Sequence, residues 1–298
     1  MKKKMLVTGA SGFLGSRIAQ YYRDKYEVLT PSHGEMDITD ACSVKKYFDE
    51  HRPEIVIHCA AISDVGRCER EPELSWQMNV IGTENIVRAA KELSAKCICC
   101  SSDQVYFGST KADANKEDEN VEPANVYGKE KAYAEASCLV IDADSVHLRL
   151  SWMYDAEDEK RMDFIKQLRA CLYEEKEVIF SAKDKRGITD VWEVVRNIEL
   201  ALELPGGVYN FGASNDKSTY ELVMYICHIM GNDTSFVSKM ENATFRNLTM
   251  AQEKINGFGI FFSTTEEGVL RCLSISSTAA RLLVRSDSCS LRLSSIVC

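Results

Sequence analysis

Tyr127 and Lys131 stand four residues apart in Tyr127-Gly-Lys-Glu-Lys131, just after the turn-forming Pro123-Ala-Asn125. On a helix, residues four apart share a face, so the phenol and the amine converge on one point. An ammonium beside a phenol favours the phenolate, drawing its pKa down from about 10 towards neutrality. A phenol so tuned can give a proton to, or take one from, a carbonyl or hydroxyl oxygen. The same spacing also occurs on ordinary solvated helices, so the pair needs a site to act in.

The amino-terminal residues supply one. Met5-Leu-Val-Thr8 runs into Gly9-Ala-Ser11-Gly12-Phe13-Leu14-Gly15, followed by apolar residues at helical spacing (Ile18, Tyr21, Tyr22). That order reads as strand, tight loop and helix. Glycines allow close backbone approach to a pyrophosphate, and the helix start offers unpaired N–H groups and a positive dipole end. The spacing is Gly-x-x-Gly-x-x-Gly.

Segments alternate through the first half of the chain. Strands are expected at 5–8, 26–30, 54–58, 96–101 and 145–150, with a short one near 36–38. Helices are expected at 13–24, 40–51, 74–93 and on the stretch bearing Tyr127 and Lys131. This alternation predicts an α/β fold with a doubly wound parallel sheet, Rossmann-like. Ligands bind beyond the carboxyl ends of such strands. Gly9, Ala60, Ser101 and Ser102 should all lie there. The polar stretch 103–125 reads as a solvated loop near that cleft.

Beyond residue 150 the alternation weakens. Helices are expected near 161–173, 189–204 and 218–231, with strands near 177–180 and 207–210. We read residues 1–150 as a dinucleotide-binding domain, to which segments near 186–212 return. Residues 151–273 then form mainly a second, smaller substrate-binding domain. Residues 274–298 are rich in Ser, Leu and Arg without Lys or Glu, and read as a flexible or non-native tail.

Bulk properties narrow the partners. At 298 residues the chain can bury a substantial core. Its net charge of −9 argues against nucleic acid or an anionic membrane surface as partner. The apolar run behind the first lysines stops at Val7, and no stretch reaches membrane-spanning length, so a cytoplasmic location is expected. Twelve cysteines show no zinc-like pairing of Cys-x-x-Cys motifs, and no metal site is expected. Cys97, Cys99 and Cys100 read as small apolar groups of a buried strand. His58 reads as a hydrogen-bonded core histidine.

Together these motifs resemble the extended short-chain dehydrogenase/reductases that act on nucleotide sugars, most closely the dTDP-4-dehydrorhamnose reductase family, over about residues 3–273. Cys59-Ala60-Ala61 is similar to an Asn-Ala-Ala segment beside the cofactor, and Asn79-Val-Ile-Gly-Thr83-Glu-Asn85 to a helix motif. Ser101-Ser102-Asp103-Gln104-Val-Tyr-Phe-Gly resembles Ser-Thr-Asp-Tyr-Val-Phe-x-Gly. Arg149-Leu-Ser-Trp152-Met-Tyr154 resembles Arg-Thr-Ser-Trp-Leu-Tyr, and Asp184-Lys-Arg-Gly187-Ile-Thr189 resembles Asp-Gln-x-Gly-x-Pro-Thr. Three departures stand out: Gln104 replaces a tyrosine, Ile188-Thr189 lacks the proline, and Thr30 replaces the acid of NAD-preferring relatives.

The resemblance implies Ser102, Tyr127 and Lys131 as catalytic residues in the reduction of a 4-keto nucleotide sugar. It places the cofactor against Gly9, Ser11, Gly12, Phe13, Leu14, Gly15, Ala60, Ala61, Tyr127 and Lys131, with Asp37 and Ile38 bordering the adenine. Without an acid at Thr30, NADPH is expected, with NADH as the alternative, and Arg17 or His33 would approach a 2′-phosphate. Ser63, Val65, Asp103, Gln104 and Trp152 would meet the substrate. A homodimer fits the resemblance. Two other functions stay open. One is a 4-epimerase or 4,6-dehydratase with tightly held NAD, although Gln104 after Asp103 argues against the dehydratase. The other is a non-catalytic, NADP-binding regulatory subunit like the β subunit of methionine adenosyltransferase.

Overall fold

A computed structural model of the chain describes residues 2–155, 157, 162–240 and 243–280. Six parallel strands form the central sheet: β1 (Lys4–Thr8), β2 (Glu27–Leu29), β3 (Ile55–His58), β4 (Lys96–Ser102), β5 (Val146–Leu150) and the strand Gly207–Phe211. Across the sheet the order is Gly207–Phe211, β5, β4, β3, β1, β2. Side chains alternate along each strand, so the two faces take different residues. Met5, Val7, Ile55, Ile57, Ile98 and Leu148 enter one core with Leu14, Ile18 and Tyr22 of helix α1 (Phe13–Tyr22) and Val194, Val195 and Ile198 of helix Val191–Ala201. Leu6, Val56, Cys97 and Cys99 enter the other. There they meet Val44 and Phe48 of helix α2 (Ala41–His51), Ile86 and Val87 of helix Gly82–Glu92, and Cys138 of helix Val126–Ile141. Covering both faces is what all-parallel strands require.

A separate core holds Tyr154, Leu168, Phe180, Ile188, Leu222, Ile226 and Val269. Short parallel pairs support it, Trp152–Tyr154 with Ile188–Asp190 and Val178–Ser181 with Val237–Met240. Helices Phe164–Tyr173 and Thr219–Met230 lie close to their expected positions.

Four details differ from expectation. Residues 36–38 form no strand: the chain turns at 38–39, where the Asp37 carboxylate accepts both the Thr39 amide (2.9 Å) and its hydroxyl (2.7 Å). The long helix expected at 74–93 starts at Pro72 and widens into a π-helical turn at Gln77–Ile81. The loop 103–125 is anchored rather than freely solvated. Val105 and Tyr106 are buried, and buried Asn115 bonds the Asn247 and Thr249 carbonyls at 2.9 and 3.0 Å. Residues 274–280 belong to helix Thr265–Ala280; the remainder of the expected tail lies outside the described residues.

Candidate active site

The carboxyl ends of β1, β3, β4 and β5 open onto a cavity of about 410 Å³. Gly9, Gly12, Phe13, Leu14, Gly15, Ala61, Ser63, Val65, Ser102, Gln104, Tyr127, Lys131 and Trp152 line it, as do Cys59, Cys100, Leu150, Ser151, Met153 and Arg186.

Gly9 has φ +65°, and a Cβ there would stand 2.7 Å from the Ala60 nitrogen. Helix α1 begins at Phe13, preceded by Gly12, which supplies no side-chain cap, and it has no acid in its first turn. Helices Ala41–His51, Val65–Arg70, Val126–Ile141, Phe164–Tyr173, Val191–Ala201 and Thr219–Met230 all carry an Asp, Asn or Ser cap. The first N–H groups of α1 are therefore left for an anion on the cavity side, as a pyrophosphate requires. The residues present fit a dinucleotide.

On the facing wall, Asn125 caps the helix that carries the phenol and the amine. It accepts from the Gly128 amide at 2.6 Å and donates to Gln104 Oε1 at 2.8 Å. A Cβ at Gly128 would strike the Gln104 carbonyl, so the glycine lets this helix rest on the Asp103–Tyr106 turn. Ser102 at the end of β4, Tyr127 and Lys131 are 7%, 7% and 5% exposed. Lys131 Nζ lies 5.7 Å from the centre of the Tyr127 ring and donates to the Cys100 carbonyl at 2.9 Å. Burial raises the Tyr127 pKa above its ordinary value, and it outweighs the lowering effects of Lys131 and the Ser102 hydroxyl. This corrects the expectation of a depressed phenol: desolvation of the phenolate exceeds the attraction of one cation.

Behind the site, Glu135 accepts from Arg149 at 2.7 Å and from the Ser101 hydroxyl at 2.5 Å. Asn79 Nδ2 donates to Glu130 at 2.7 Å, and its carbonyl holds the Ile62 amide at 2.8 Å. His58 is locked between the Thr8 (2.7 Å) and Thr83 (3.2 Å) hydroxyls, as a core histidine. These bonds fix the strand ends that frame the cavity.

Several expected contacts fall elsewhere. Arg17 is 5% exposed, bonds Asp155 at 2.5 Å and stacks on Phe13 at 4.2 Å, so its charge is paired inside the protein. Asp103 is fully buried, held by Arg186, and does not line the cavity. Ile38 packs on Gly82, and Asp37 on Thr39; neither lines the cavity. Ala60 backs the Gly9 turn, and Ser11 is exposed on the loop. His33 and Thr30 are exposed near the end of β2, His33 lying 3.8 Å from Asp37.

Arg186 is a charged cavity residue that the sequence reading missed. It lines the cavity, and its guanidinium lies 4.2 Å from the centre of the Trp152 ring. Its signal was a cation inside the segment Asp184–Thr189, which the family likeness had already singled out. Among the described residues, no group of three or more His, Cys, Asp or Glu is placed to hold a metal ion. None of the described helices is long and apolar enough to cross a membrane.

The chain is 29% identical over 233 residues to a dTDP-4-dehydrorhamnose reductase of Aggregatibacter actinomycetemcomitans, spanning 75% of this chain and 78% of that protein. It is 28% identical over 236 residues to the spore coat polysaccharide biosynthesis protein SpsK of Bacillus subtilis, spanning 79% and 82%. A crystal structure of the dTDP-4-dehydrorhamnose reductase of Bacillus anthracis in complex with NADP superposes with a TM-score of 0.83 at 25% identity, covering 92% of this chain and 98% of that one. Residues 3–252 match the family model described as the RmlD substrate binding domain, and the chain belongs to that family.

Proposed function

We propose that this chain is an NAD(P)-dependent oxidoreductase that reduces the 4-keto group of a nucleotide-linked sugar, with NADPH as donor and NADH as alternative. One observation carries the reading: Ser102, Tyr127 and Lys131 share a cavity with the glycine loop and the uncapped start of α1. The named relatives support it, as does the NADP held by the structural neighbour.

Bound there, a reduced nicotinamide supplies hydride to the ketone carbon. Tyr127, kept protonated by burial, gives its proton to the oxygen as negative charge develops. Ser102 donates a hydrogen bond to the same oxygen. Lys131 stabilises the tyrosinate that results and would hold the nicotinamide ribose. Gly9, Gly12 and α1 would hold the pyrophosphate.

On this reading residues 1–150 and 186–212 serve the dinucleotide, while 151–273 serve the sugar nucleotide. Ser63, Val65, Gln104, Trp152 and Arg186 would meet the sugar. A second cavity of about 410 Å³ meets the first at Trp152 and is lined by Phe107, Phe180, Phe245 and Arg246. Its rings suit a base, while the Arg246 charge in its wall is paired with Asp184. We read the enzyme as cytoplasmic, alone or as a homodimer, acting on a small molecule without nucleic acid or membrane.

The test is incubation with NADPH and a panel of 4-keto nucleotide sugars, following loss of reduced-nicotinamide absorbance. Turnover of at least one is expected. Inertness towards all of them, with tightly bound NAD in the purified protein, would favour the epimerase instead.

A further inference from the structure

Two cysteines of the cavity wall have no part in that chemistry. Strands β3 and β4 run in register to the pair His58 and Cys99. The next residues, Cys59 and Cys100, therefore lie side by side, on the opposite face from Cys97 and Cys99. Their sulfurs are 3.5 Å apart, and both residues line the cavity and are partly exposed. Neighbouring strands are about 4.8 Å apart, within the range of about 4.4–6.8 Å that disulfides span between Cα atoms. Cys97 and Cys99 make a useful contrast. Their sulfurs are 3.8 Å apart, but they sit two residues apart on one strand, 1% and 2% exposed. Neither lines the cavity.

We infer that Cys59 and Cys100 form a reversible dithiol–disulfide site in the wall of the dinucleotide cavity. The hydrogen bond shared with Cys59 holds the Cys100 thiol below its ordinary range against burial, and Lys131 adds to this. With the Lys131 ammonium 2.9 Å from its carbonyl, Cys100 is the attacking thiolate. It displaces one thiol from a small-molecule disulfide and forms a mixed disulfide. Cys59 then attacks the Cys100 sulfur and displaces the second thiol. The two cysteines lose two electrons and two protons, and the reagent takes them up as two thiols. Two consequences follow. The bond would tie β3 to β4 beside Gly9, whose backbone abuts Cys59 and Ala60. It would also shift the Cys100 carbonyl that holds Lys131.

The experiment exposes the whole protein to glutathione disulfide with and without saturating NADPH, blocks remaining thiols and maps peptides by mass. A Cys59–Cys100 cross-link, reversed by dithiothreitol, is expected. The coupling to dinucleotide rests on the cofactor reading: NADPH should slow cross-linking, and oxidation should weaken NADPH binding, each by about tenfold or more. Cys59 and Cys100 both remaining alkylatable, or adducts confined to exposed Cys42, would overturn the site. So would a cross-linking rate that NADPH leaves unchanged although it binds. Failure of reduced protein to bind NADPH would instead remove the cofactor reading, and the peptide map alone would then decide the dithiol.

Discussion

Arg186 grips Asp103 through two hydrogen bonds of 2.7 Å while its guanidinium stacks 4.2 Å from the centre of the Trp152 ring. Eighty-three residues separate the two ends of this pair, and Asp103 directly follows Ser102. One arginine thus fixes both the serine turn and the tryptophan of the cavity.

Removing that cation should be costly. Arg186→Met leaves a fully buried carboxylate without its partner, a change worth about 3–5 kcal/mol. Urea unfolding should show the loss, and Asp103→Asn in the same chain should restore a large part of it. Equal losses in the single and double variants would show that the pair is not coupled.

Tyr127→Phe keeps the ring and deletes only the hydroxyl. Turnover should fall by about 10²–10⁴-fold, while NADPH affinity, read by fluorescence titration, stays nearly intact. Near-normal turnover would reject the phenol as proton donor.

Gly9→Ala meets two obstacles at once, a φ of +65° and a Cβ 2.7 Å from the Ala60 nitrogen. The backbone must move, so stability should drop by more than about 1 kcal/mol and dinucleotide binding with it. Thermal melts with and without NADPH measure both effects.

Acid should destabilise the protein through two core imidazoles. His58 and His147 are 2% and 1% exposed, and burial, with Lys131 contributing, lowers both pKa values from 6.5 to about 3. Folded values below unfolded ones mean that the stability these groups contribute is full above pH 6.5 and is lost as pH falls towards 3. Each histidine approaches about 1.4 kcal/mol per pH unit in that window. Urea midpoints from pH 7 to 4.5 should fall accordingly, and His58→Asn should reduce the slope by one proton.

Local patterns announced much of this arrangement. Glycine spacing behind a short apolar run, continuous apolar runs in β3 and β4, and a phenol one turn from an amine all depend on neighbours close in sequence. What escaped depends on distant partners. Arg17 reads as a free cation until Asp155, 138 residues away, is placed against it. The Tyr127 pKa turns on burial by other elements, which spacing cannot report. The π-helical turn at Gln77–Ile81 likewise answers to tertiary contacts, for Asn79 there pairs with Ile62 and Glu130. The strand expected at 36–38 failed for a nearer reason: Asp37 competes for the Thr39 amide.

Strand Gly207–Phe211 hydrogen-bonds along the full length of β5. A polypeptide cut near residue 150 would therefore expose a bare row of amides and carbonyls flanked by Val146, Leu148 and Leu150. Such an edge recruits other chains, so the amino-terminal half expressed by itself should aggregate rather than behave as a portable nucleotide-binding module.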